Sequence, residues 1–296
     1  MAGLDSSQIV RFDGNVPPRP HPVARPETIA AALAELNAYP HGGYPRLVEA
    51  IAAYAGVEPD NVVLGAGADD LILLCARSLA GPGDVVAVAD EPTYPLYRVA
   101  AGLAGAAVGT DGAVATFCCR PHNPSGALVD VPPARPLVVD EAYFEYSGST
   151  VAGLIDESVI VIRTFSKAFG LAGARVGYAL AARDTAAELN RRQAPLAVST
   201  LSAALALAAL VEPPDVGPVV AERDRMADAL GSLGLQPLVS HTNFLFVPLG
   251  DPHAVTTALL RGGIVARAFS GGIRFNVRDR RDDDRLLDAL AAALER

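Results

Sequence analysis

Short unbroken runs of apolar residues recur along this chain, separated by segments with helical spacing. The runs cover residues 62–64, 85–88, 137–139 and 159–162, and residues 115–118 are a further candidate. Continuous apolar runs of this length are typical of strands that are buried on both faces of a parallel sheet. Their alternation with helices predicts a doubly wound α/β domain, which binds its ligands at the carboxyl ends of the strands.

The chain ahead of this alternating region has a different pattern. Residues 1–26 are rich in proline and lack periodicity, so we expect an extended arm. A first helix is predicted after the arm, with Ile29, Leu33 and Leu36 on one face. A second helix is predicted over residues 45–56, because a proline opens it and a glycine ends it.

The two prolines at residues 213–214 predict the end of the α/β domain, and a long helix is expected after Val216. Residues 244–247, 264–266 and 273–277 predict the strands of a smaller unit. We therefore predict an arm and first helix over residues 1–40 that belong with the small domain, a large domain over 41–215 and a small C-terminal domain over 216–296.

Composition narrows the class of protein. Of the 296 residues, 51% are hydrophobic and the formal net charge is −9, which argues for a globular protein and against nucleic acid as a partner. The three cysteines have no metal-ligand spacing, so no metal is expected, and they suit a reducing compartment. The N-terminus lacks the pattern of a signal peptide, and no apolar stretch is long enough to span a membrane. We expect a soluble, cytoplasmic protein.

Lys167 follows the apolar run 159–162, next to glycines and apolar residues. Burying an ammonium group is costly unless it is paired or neutralised, and a covalent bond to the aldehyde of pyridoxal phosphate neutralises it. Thr164, Ser166 and Arg175 would then be phosphate ligands, since hydroxyls and guanidinium suit phosphate oxygens. The alternative is a lysine that extends to solvent from the end of a core strand.

Three other stretches carry polar groups beside strand ends or turns. Asp140 ends the run 137–139, where a carboxylate can pair with a protonated pyridine nitrogen or simply cap a turn. Residues 65–70 form a glycine turn into a helix, whose free N–H groups can bind an anion. Residues 123–126 read as Asn-Pro-Ser-Gly, which by itself predicts a plain turn.

Taken together and in this order, these stretches resemble the motifs of the fold-type I pyridoxal-phosphate aminotransferases, in the branch that contains histidinol-phosphate aminotransferase. The blocks lie between about residues 39 and 278. The resemblance implies an α/β fold, with a large doubly wound, mainly parallel-sheet domain and a small α+β domain built from the two chain ends. It also implies the cofactor pyridoxal 5′-phosphate and the catalytic residues Lys167, Asp140 and Tyr143.

The resemblance further implies roles at the cofactor. Asp140 would pair with the pyridine nitrogen, Tyr143 and Asn123 would bond the phenolate oxygen, and Tyr94 would stack on the ring. The remaining cofactor ligands would hold the phosphate, and these are Gly67, Ala68, Asp69, Thr164, Ser166 and Arg175. Tyr39 would reach the phosphate of a neighbouring subunit, which implies a homodimer with shared sites; Tyr44 is a competing candidate.

Two blocks near the C-terminus resemble the part of the family that reads the substrate. Arg274, in the block 273–277, would clamp the acidic group of the substrate from a strand, and Arg267 would assist it or lie on the surface. Asn243 would lie beside the substrate pocket, and Asn15 would belong to an arm that lines it. The implied ligands are a small-molecule amino donor and a 2-oxo acid.

The chain departs from the family pattern in its substrate-reading parts. Ala38 stands where the family has arginine, and Asp70 where it has glutamate. The connection between residues 98 and 140 is shortened, residues 12–17 match the family's arm only loosely, and residues 278–279 replace Gly-Thr. These differences affect the prediction of the substrate more than that of the reaction type.

We therefore predict a pyridoxal-phosphate-dependent aminotransferase for a small phosphorylated amino compound such as L-histidinol phosphate, with 2-oxoglutarate as acceptor. Two alternatives stay open. One is a threonine-phosphate decarboxylase of corrinoid biosynthesis, which would use the same cofactor residues. The other is a non-catalytic domain that senses the cofactor, although residues 1–26 are too short for the DNA-binding module that normally precedes such a domain.

Overall fold

The computed structural model describes residues 8–40 and 42–294. The strands are β1 (Val10–Arg11), β2 (Val62–Gly65), β3 (Val85–Val88), β4 (Ala107–Val108), β5 (Ala113–Cys119), β6 (Leu137–Asp140), β7 (Val159–Thr164), β8 (Gly177–Leu180), β9 (Phe244–Pro248), β10 (Ile264–Val265), β11 (Arg267–Phe269) and β12 (Gly272–Asn276). The α-helices are α1 (Pro26–Ala34), α2 (Pro45–Ala55), α3 (Ala68–Leu79), α4 (Leu96–Leu103), α5 (Phe144–Ser147), α6 (Arg183–Arg192), α7 (Thr200–Val211), α8 (Gly217–Ser232), α9 (Pro252–Arg261) and α10 (Arg280–Leu294). Single 3-10 turns occur at Pro59–Asn61, Ala152–Glu157 and Ala172–Ala174.

The chain divides into two compact units. The larger unit holds residues 19–122 and 129–214, and the smaller unit holds the described residues up to Pro18, the segment 123–128 and the chain from Asp215 onward. This division places α1 in the larger unit, whereas the sequence pattern assigned the first helix to the small domain. It also places the turn 123–128 in the smaller unit, a long-range grouping that no local pattern could indicate.

The larger unit is built on a seven-stranded sheet in the order β2-β8-β7-β6-β5-β3-β4. Strands β3 to β7 pair in parallel, while β8 is antiparallel to both of its neighbours. Every residue of β6 and β7 is buried. The sheet is therefore mainly parallel and covered on both faces, as the continuous apolar runs predict.

Two apolar cores cover the two faces of this sheet. One core packs α2 and α7 against β6 and β7 through residues such as Ile51 and Ala206. The other packs α3, α4 and α6 through residues such as Leu71, Tyr97 and Leu189. Helices on both faces make this unit doubly wound, and the carboxyl ends of β5, β6 and β7 lie side by side, since Cys119, Asp140 and Ile162 are in register.

The smaller unit is an α+β arrangement. The strands β11, β12 and β9 form an antiparallel sheet, and β1 pairs in parallel with β10. Helices α8, α9 and α10 bury one core against these strands, with Phe12 of the arm inside it. The early arm residues therefore belong to the core of a unit otherwise formed by the C-terminal part of the chain.

Local sequence signals predict the two helices that follow the arm, and the structure contains both. Helix α2 ends at Gly56, whose φ of 70° is the left-handed value that glycine accepts readily, so this prediction is confirmed. Helix α1 forms after the arm, but Ala32 is its buried residue, while Leu33 and Leu36 are exposed. The helix predicted after the arm is therefore present and contacts mainly α7, but it ends at Ala34, so Leu36 lies beyond it.

The shortened connection before β6 contains no helix from residue 120 to residue 136. In the part of the chain that the structure describes, no helix is long and apolar enough to cross a membrane.

Candidate active site

Lys167 lies just beyond β7, three residues after the end of a strand that is buried throughout. Its side chain is half-buried, and Nζ lies 5.7 Å from the centroid of the Tyr143 ring. Tyr143 is itself buried, at the start of the short helix α5. Lys167 is also the single lysine of the whole sequence. Apart from the histidines, all the other basic side chains are arginines. The predicted lysine and tyrosine thus lie close together at the carboxyl edge of the sheet.

Asp140 is the last residue of β6, one strand away from β7. It is 5% exposed, and its two carboxylate oxygens accept hydrogen bonds from the Tyr97 hydroxyl at 2.7 Å and the Ala142 N–H at 3.0 Å. Burial raises the pKa of Asp140 to about 6, while the two hydrogen bonds and the charge of Lys167 oppose that rise. The site therefore holds an ionisable acid poised near neutral pH.

Tyr97 is a site residue that the sequence analysis missed. It is fully buried in the first turn of α4, and its ring stacks on Phe117 with centroids 5.7 Å apart. It lies one helical turn after Tyr94, and the two rings meet edge to face at 5.8 Å. The spacing of the two tyrosines is evident in the sequence, but the hydrogen bond between Tyr97 and Asp140 is not.

The glycine turn before α3 has the geometry of an anion cradle. Gly67 precedes the helix with φ 86° and ψ 174°, a conformation open essentially to glycine alone. No side chain caps the helix at this residue, so the first-turn N–H groups of α3, beginning at Ala68, point out of the helix end. Asp70, which replaces the family's usual glutamate, accepts from the Ala66 N–H at 3.1 Å and so holds the turn.

The other predicted phosphate ligands surround this turn. Arg175 reaches Ser166 Oγ at 3.4 Å with one guanidinium nitrogen and Asp69 Oδ2 at 3.0 Å with the other. The hydroxyl of Thr164 donates to that of Ser166 over 3.0 Å, and both residues are buried. Hydroxyl, guanidinium and helix N–H donors thus converge at one place, which is the donor set that a phosphate monoester requires.

The side chain of Asp69 connects the cradle to Tyr94. Its second carboxylate oxygen accepts from the Tyr94 hydroxyl at 2.9 Å. Burial, together with the charge of Asp69, raises the pKa of Tyr94, so this hydroxyl stays protonated and donates. From the sequence, only the backbone N–H of Asp69 was expected to act at the site. The two contacts of its carboxylate became visible only in the structure.

A buried ion pair supports the segment that carries Asp140 and Tyr143. Glu141 is fully buried, and its carboxylate accepts from Arg163 Nε at 3.0 Å and from the Val151 N–H at 2.6 Å. The guanidinium of Arg163 lies 3.6 Å from the centroid of the Phe144 ring. Because Arg163 belongs to β7, the pair ties the residues after β6 to the strand that leads to Lys167.

The predicted substrate residues belong to the smaller unit. Arg274 lies on β12, is 3% exposed, and donates to Asn123 Oδ1 and, over 2.9 Å, to the carbonyl of Asp13. Asn123 therefore groups with Arg274 in this unit, and its predicted contact with the cofactor stays a prediction.

The rings of Phe244 and Phe269 both lie near the Arg274 guanidinium, with centroids 5.3 and 5.4 Å from its central carbon.

The arm is attached to the same strands. Asn15 is buried with φ 52°, and its carbonyl accepts from Asn243 Nδ2 at 3.1 Å. Arg267 pairs with Arg274 across the β11–β12 hairpin, yet its side chain is exposed and contacts Phe269. Of the predicted substrate residues, Arg274, Asn243 and Asn15 are thus buried together and Arg267 is on the surface.

Tyr39, in the larger unit, has 83% of its surface exposed. The hydroxyl of its competitor Tyr44 is instead bonded to the Val198 carbonyl at 2.9 Å. Among the described residues no group of acidic, histidine and cysteine side chains has the arrangement of a metal site.

The comparison with known proteins agrees with this geometry. The sequence model of the family "Aminotransferase class I and II" matches residues 3–110 and 112–290. A histidinol-phosphate aminotransferase from Thermoanaerobacter pseudethanolicus is 33% identical over 300 residues, covering 88% of this chain and 85% of that protein. An aromatic amino acid aminotransferase from Rhodococcus opacus is 35% identical over 307 residues, covering 91% and 86%. The crystal structure of histidinol-phosphate aminotransferase from Sinorhizobium meliloti with pyridoxal-5′-phosphate superposes with a TM-score of 0.87 at 26% identity, covering 97% of this chain and 91% of that one.

A mainly parallel sheet that presents a lysine at its carboxyl edge defines a fold-type I enzyme of the pyridoxal-phosphate kind. The family match over nearly the full length goes further: the chain belongs to the class I and II aminotransferases. The predicted fold class, enzyme class and cofactor are thereby confirmed.

The residues of the larger unit fit pyridoxal phosphate. A Cβ at Gly67 would lie 2.7 Å from Arg175 Nη2, so the guanidinium can lie where it does only because this residue is glycine. A Cβ at Gly177 would lie 2.7 Å from the Arg163 carbonyl oxygen and 3.0 Å from the Gly67 carbonyl carbon, so glycine at this position lets the turn lie against β8. Lys167 would supply the amine that the cofactor's aldehyde requires, and Asp140 would supply a buried carboxylate for the pyridine nitrogen.

Proposed function

We propose that this aminotransferase acts on a small phosphorylated amino compound, with L-histidinol phosphate as amino donor and 2-oxoglutarate as acceptor. The proposed substrate rests on the 33% identity to histidinol-phosphate aminotransferases over 88% of the chain. The buried Arg274 supports it, because a guanidinium group binds phosphate or carboxylate with two parallel hydrogen bonds.

The proposed mechanism assigns each residue of the larger unit a task. When bound, the cofactor supplies an electron sink for the charge that develops at the substrate Cα. Nζ of Lys167 holds the cofactor between turnovers and then takes the proton from the substrate Cα. The carboxylate of Asp140 keeps a proton on the pyridine nitrogen, since a negative charge stabilises the cation that faces it.

The anion cradle at the glycine turn before α3 would anchor the cofactor through its phosphate. The N–H groups of Gly67, Ala68 and Asp69, together with Ser166, Arg175 and Thr164, hold the phosphate. Tyr94 would pack against the ring, and the hydroxyl of Tyr143 and the amide of Asn123 would bond the phenolate oxygen. Asp69 keeps the hydroxyl of Tyr94 and the guanidinium of Arg175 oriented, which follows from its two hydrogen bonds.

In the smaller unit, Arg274 binds the acidic group of the substrate, and Asn243 and Asn15 line the place where it binds. Arg267 contributes long-range charge, because its guanidinium is exposed and shares the Phe269 ring with Arg274. The segments that depart from the family pattern, including residues 278–279, would determine which substrate the enzyme selects.

The active form in this proposal is a homodimer in which Tyr39 reaches the phosphate of the neighbouring subunit. Its 83% exposure supports the assignment, because the hydroxyl of Tyr44 is already bonded within the chain. Sedimentation of the purified protein tests the dimer. A Tyr39→Phe variant tests the contact, and we expect it to weaken cofactor binding without changing the sedimentation coefficient.

The visible spectrum before and after addition of L-histidinol phosphate alone tests the function. We expect a yellow protein whose band gives way to that of the pyridoxamine form, which shows the first half-reaction. A yellow band that does not change with this donor contradicts the proposed substrate. L-Threonine phosphate and L-phenylalanine are the next donors in that case, the second because of the Rhodococcus opacus relative and the two phenylalanines beside Arg274.

The single lysine makes the cofactor assignment unusually direct to test. Borohydride reduction in the presence of pyridoxal phosphate should label one peptide, the one that contains Lys167, and leave only the N-terminal amine as a competing target. A Lys167→Ala variant should lose the label and the turnover together. Label on the N-terminus alone, or undiminished turnover by this variant, would contradict the assignment.

A further inference from the structure

Tyr97 has no role in the function proposed above, although it is one of the largest fully buried side chains of the described chain. Its hydroxyl donates to Asp140 Oδ2 over 2.7 Å. Burial and the charge of Asp140 raise the pKa of Tyr97 well above its ordinary value, so the hydroxyl stays protonated and is always the donor.

The ring of Tyr97 is held by two aromatic neighbours, which fixes the direction of its hydroxyl. It stacks on Phe117 of β5 with an interplanar angle of 23° and meets Tyr94 nearly edge-on at 80°. The Ala142 N–H binds the other carboxylate oxygen of Asp140. Two donors on two oxygens determine the plane of the carboxylate as well as its position, which one hydrogen bond could not do.

We propose that Tyr97 is a positioning residue, whose hydroxyl orients the Asp140 carboxylate and keeps it negatively charged for its partner in the cofactor. The inference rests on the cofactor role proposed for Asp140. Burial opposes ionisation at this site, and Tyr97 counters it from inside the protein, where a hydrogen bond to a charge is stronger than in water.

Other groups also act on Asp140, and the test must separate them from Tyr97. The titratable groups around Asp140 and the Tyr97 hydroxyl are Asp69 on α3, Tyr94 before α4, Cys118 and Cys119 on β5 and Lys167 after β7. Asp69 hinders ionisation of Asp140 and Lys167 favours it. A change at Tyr97 leaves all of these residues in place.

The experiment compares wild-type protein with Tyr97→Phe, which keeps the ring and removes the hydroxyl. In cofactor-free protein carrying 13C-labelled aspartate, NMR follows the titration of Asp140, which is assigned by its absence in Asp140→Asn. We expect the pKa of Asp140 to rise by about one unit or more, a tenfold change in proton affinity.

The second readout is the dissociation constant of pyridoxal phosphate across a pH series. Because the variant protonates Asp140 at higher pH, its affinity should fall about threefold below that of wild type near pH 6.5 and about tenfold below it near pH 5, and approach it near pH 8.5. The ratio of the two proteins cancels the pH dependence that both share.

Two further variants keep the test decisive. Tyr54→Phe makes the same chemical change at a half-buried tyrosine that packs on Phe144 and Phe169, and it should leave the Asp140 titration as in wild type. If Tyr97→Phe folds poorly, 3-fluorotyrosine at position 97 replaces it. As a more acidic donor of nearly the same shape, it should lower the pKa of Asp140.

The outcomes distinguish this inference from the proposed function. An unchanged Asp140 titration, with a loss of cofactor affinity that is equal at every pH, would show that Tyr97 only packs, and would overturn the inference. A wild-type protein that binds no pyridoxal phosphate overturns the proposed role of Asp140, and with it the role of Tyr97 at the cofactor, while the titration still reports the hydrogen bond.

Discussion

A Cβ atom on Gly67 would lie 2.7 Å from Nη2 of Arg175. This distance is too short for a non-bonded contact between carbon and nitrogen, so the guanidinium would have to move. The two residues are far apart in sequence, yet the guanidinium occupies the space that a side chain at this turn would need. The φ of 86° makes a second demand for glycine. The cradle of the larger unit therefore depends on a missing side chain as much as on the donors around it.

Gly67→Ala should weaken pyridoxal-phosphate binding by about tenfold to a hundredfold. The added methyl displaces Arg175, and the backbone conformation costs a non-glycine residue about 1–3 kcal/mol. Equilibrium titration of the cofactor measures the effect. Gly102→Ala is the matched control, because Gly102 lies in α4 with open space around it; this change should leave binding unaltered and stabilise the helix by about 0.5–1 kcal/mol. Equal affinities of the two variants would contradict the role of Gly67.

Glu141→Gln should lower the free energy of unfolding by about 3–5 kcal/mol. The change leaves the guanidinium of Arg163 buried without a counter-charge, and an uncompensated buried charge carries a penalty of that size. Urea denaturation measures it. Asp60→Asn removes one partner of an exposed pair, in which Arg183 and Asp60 are 2.7 Å apart, and should cost less than about 1 kcal/mol. A loss below that limit for Glu141→Gln would mean that the buried pair contributes little.

Asp140 predicts how stability depends on pH in the cofactor-free protein. Its pKa in the folded state is raised to about 6 by burial, so between the unfolded value near 4 and this value the folded state binds more protons. Stability therefore falls as the pH rises through this window and stays lower above it. Relative to Asp140→Asn, wild type should lose about 2–3 kcal/mol between pH 4 and pH 7.

Urea denaturation at a series of pH values measures that difference. Asp111→Asn, at an exposed aspartate, serves as the control and should follow wild type throughout. If wild type and Asp140→Asn run parallel between pH 4 and pH 7, Asp140 does not carry the raised pKa. The same Asp140→Asn variant should bind pyridoxal phosphate more weakly, because it lacks the carboxylate that we propose for the pyridine nitrogen.

Arg274→Lys should raise KM for the acidic substrate by about tenfold to a hundredfold and leave the dissociation constant of the cofactor unchanged. Lysine keeps the charge but loses the planar fork that binds two oxygens together. Steady-state kinetics with L-histidinol phosphate measure the effect. Arg267→Lys, on the facing strand with an exposed side chain, should change KM less than about threefold. A larger effect at Arg267 than at Arg274 would reverse the assignment of the two arginines.

The groups that we propose to act on the cofactor could be singled out in the sequence because each belongs to a short local motif. Lys167, Asp140 and the glycine turn all follow apolar runs, and a parallel sheet brings the carboxyl ends of neighbouring strands to one edge. The continuous apolar runs therefore predicted the strands, and with them the edge of the sheet at which the polar residues after the strands meet. The end of α2 at Gly56 follows from the conformational freedom of glycine, which is likewise a local property.

What supports those groups could not be predicted in this way. The partners Tyr97 and Asp140 are separated by 43 residues, and Glu141 and Arg163 by 22, so each pair exists only after the sheet has formed. The exposure of Leu33 and Leu36 is also a tertiary result, because the helical period indicates an apolar face but not whether the rest of the chain covers it.

By itself, the sequence determined which chemical groups this protein has and at which strand ends they lie, since motif and periodicity are local. Only the tertiary structure decided which buried donors face Asp140, how Arg175 depends on Gly67 and that Asn123 groups with Arg274. Hydrogen bonds and steric contacts join atoms rather than neighbouring residues, and their strength depends on burial, which the fold creates.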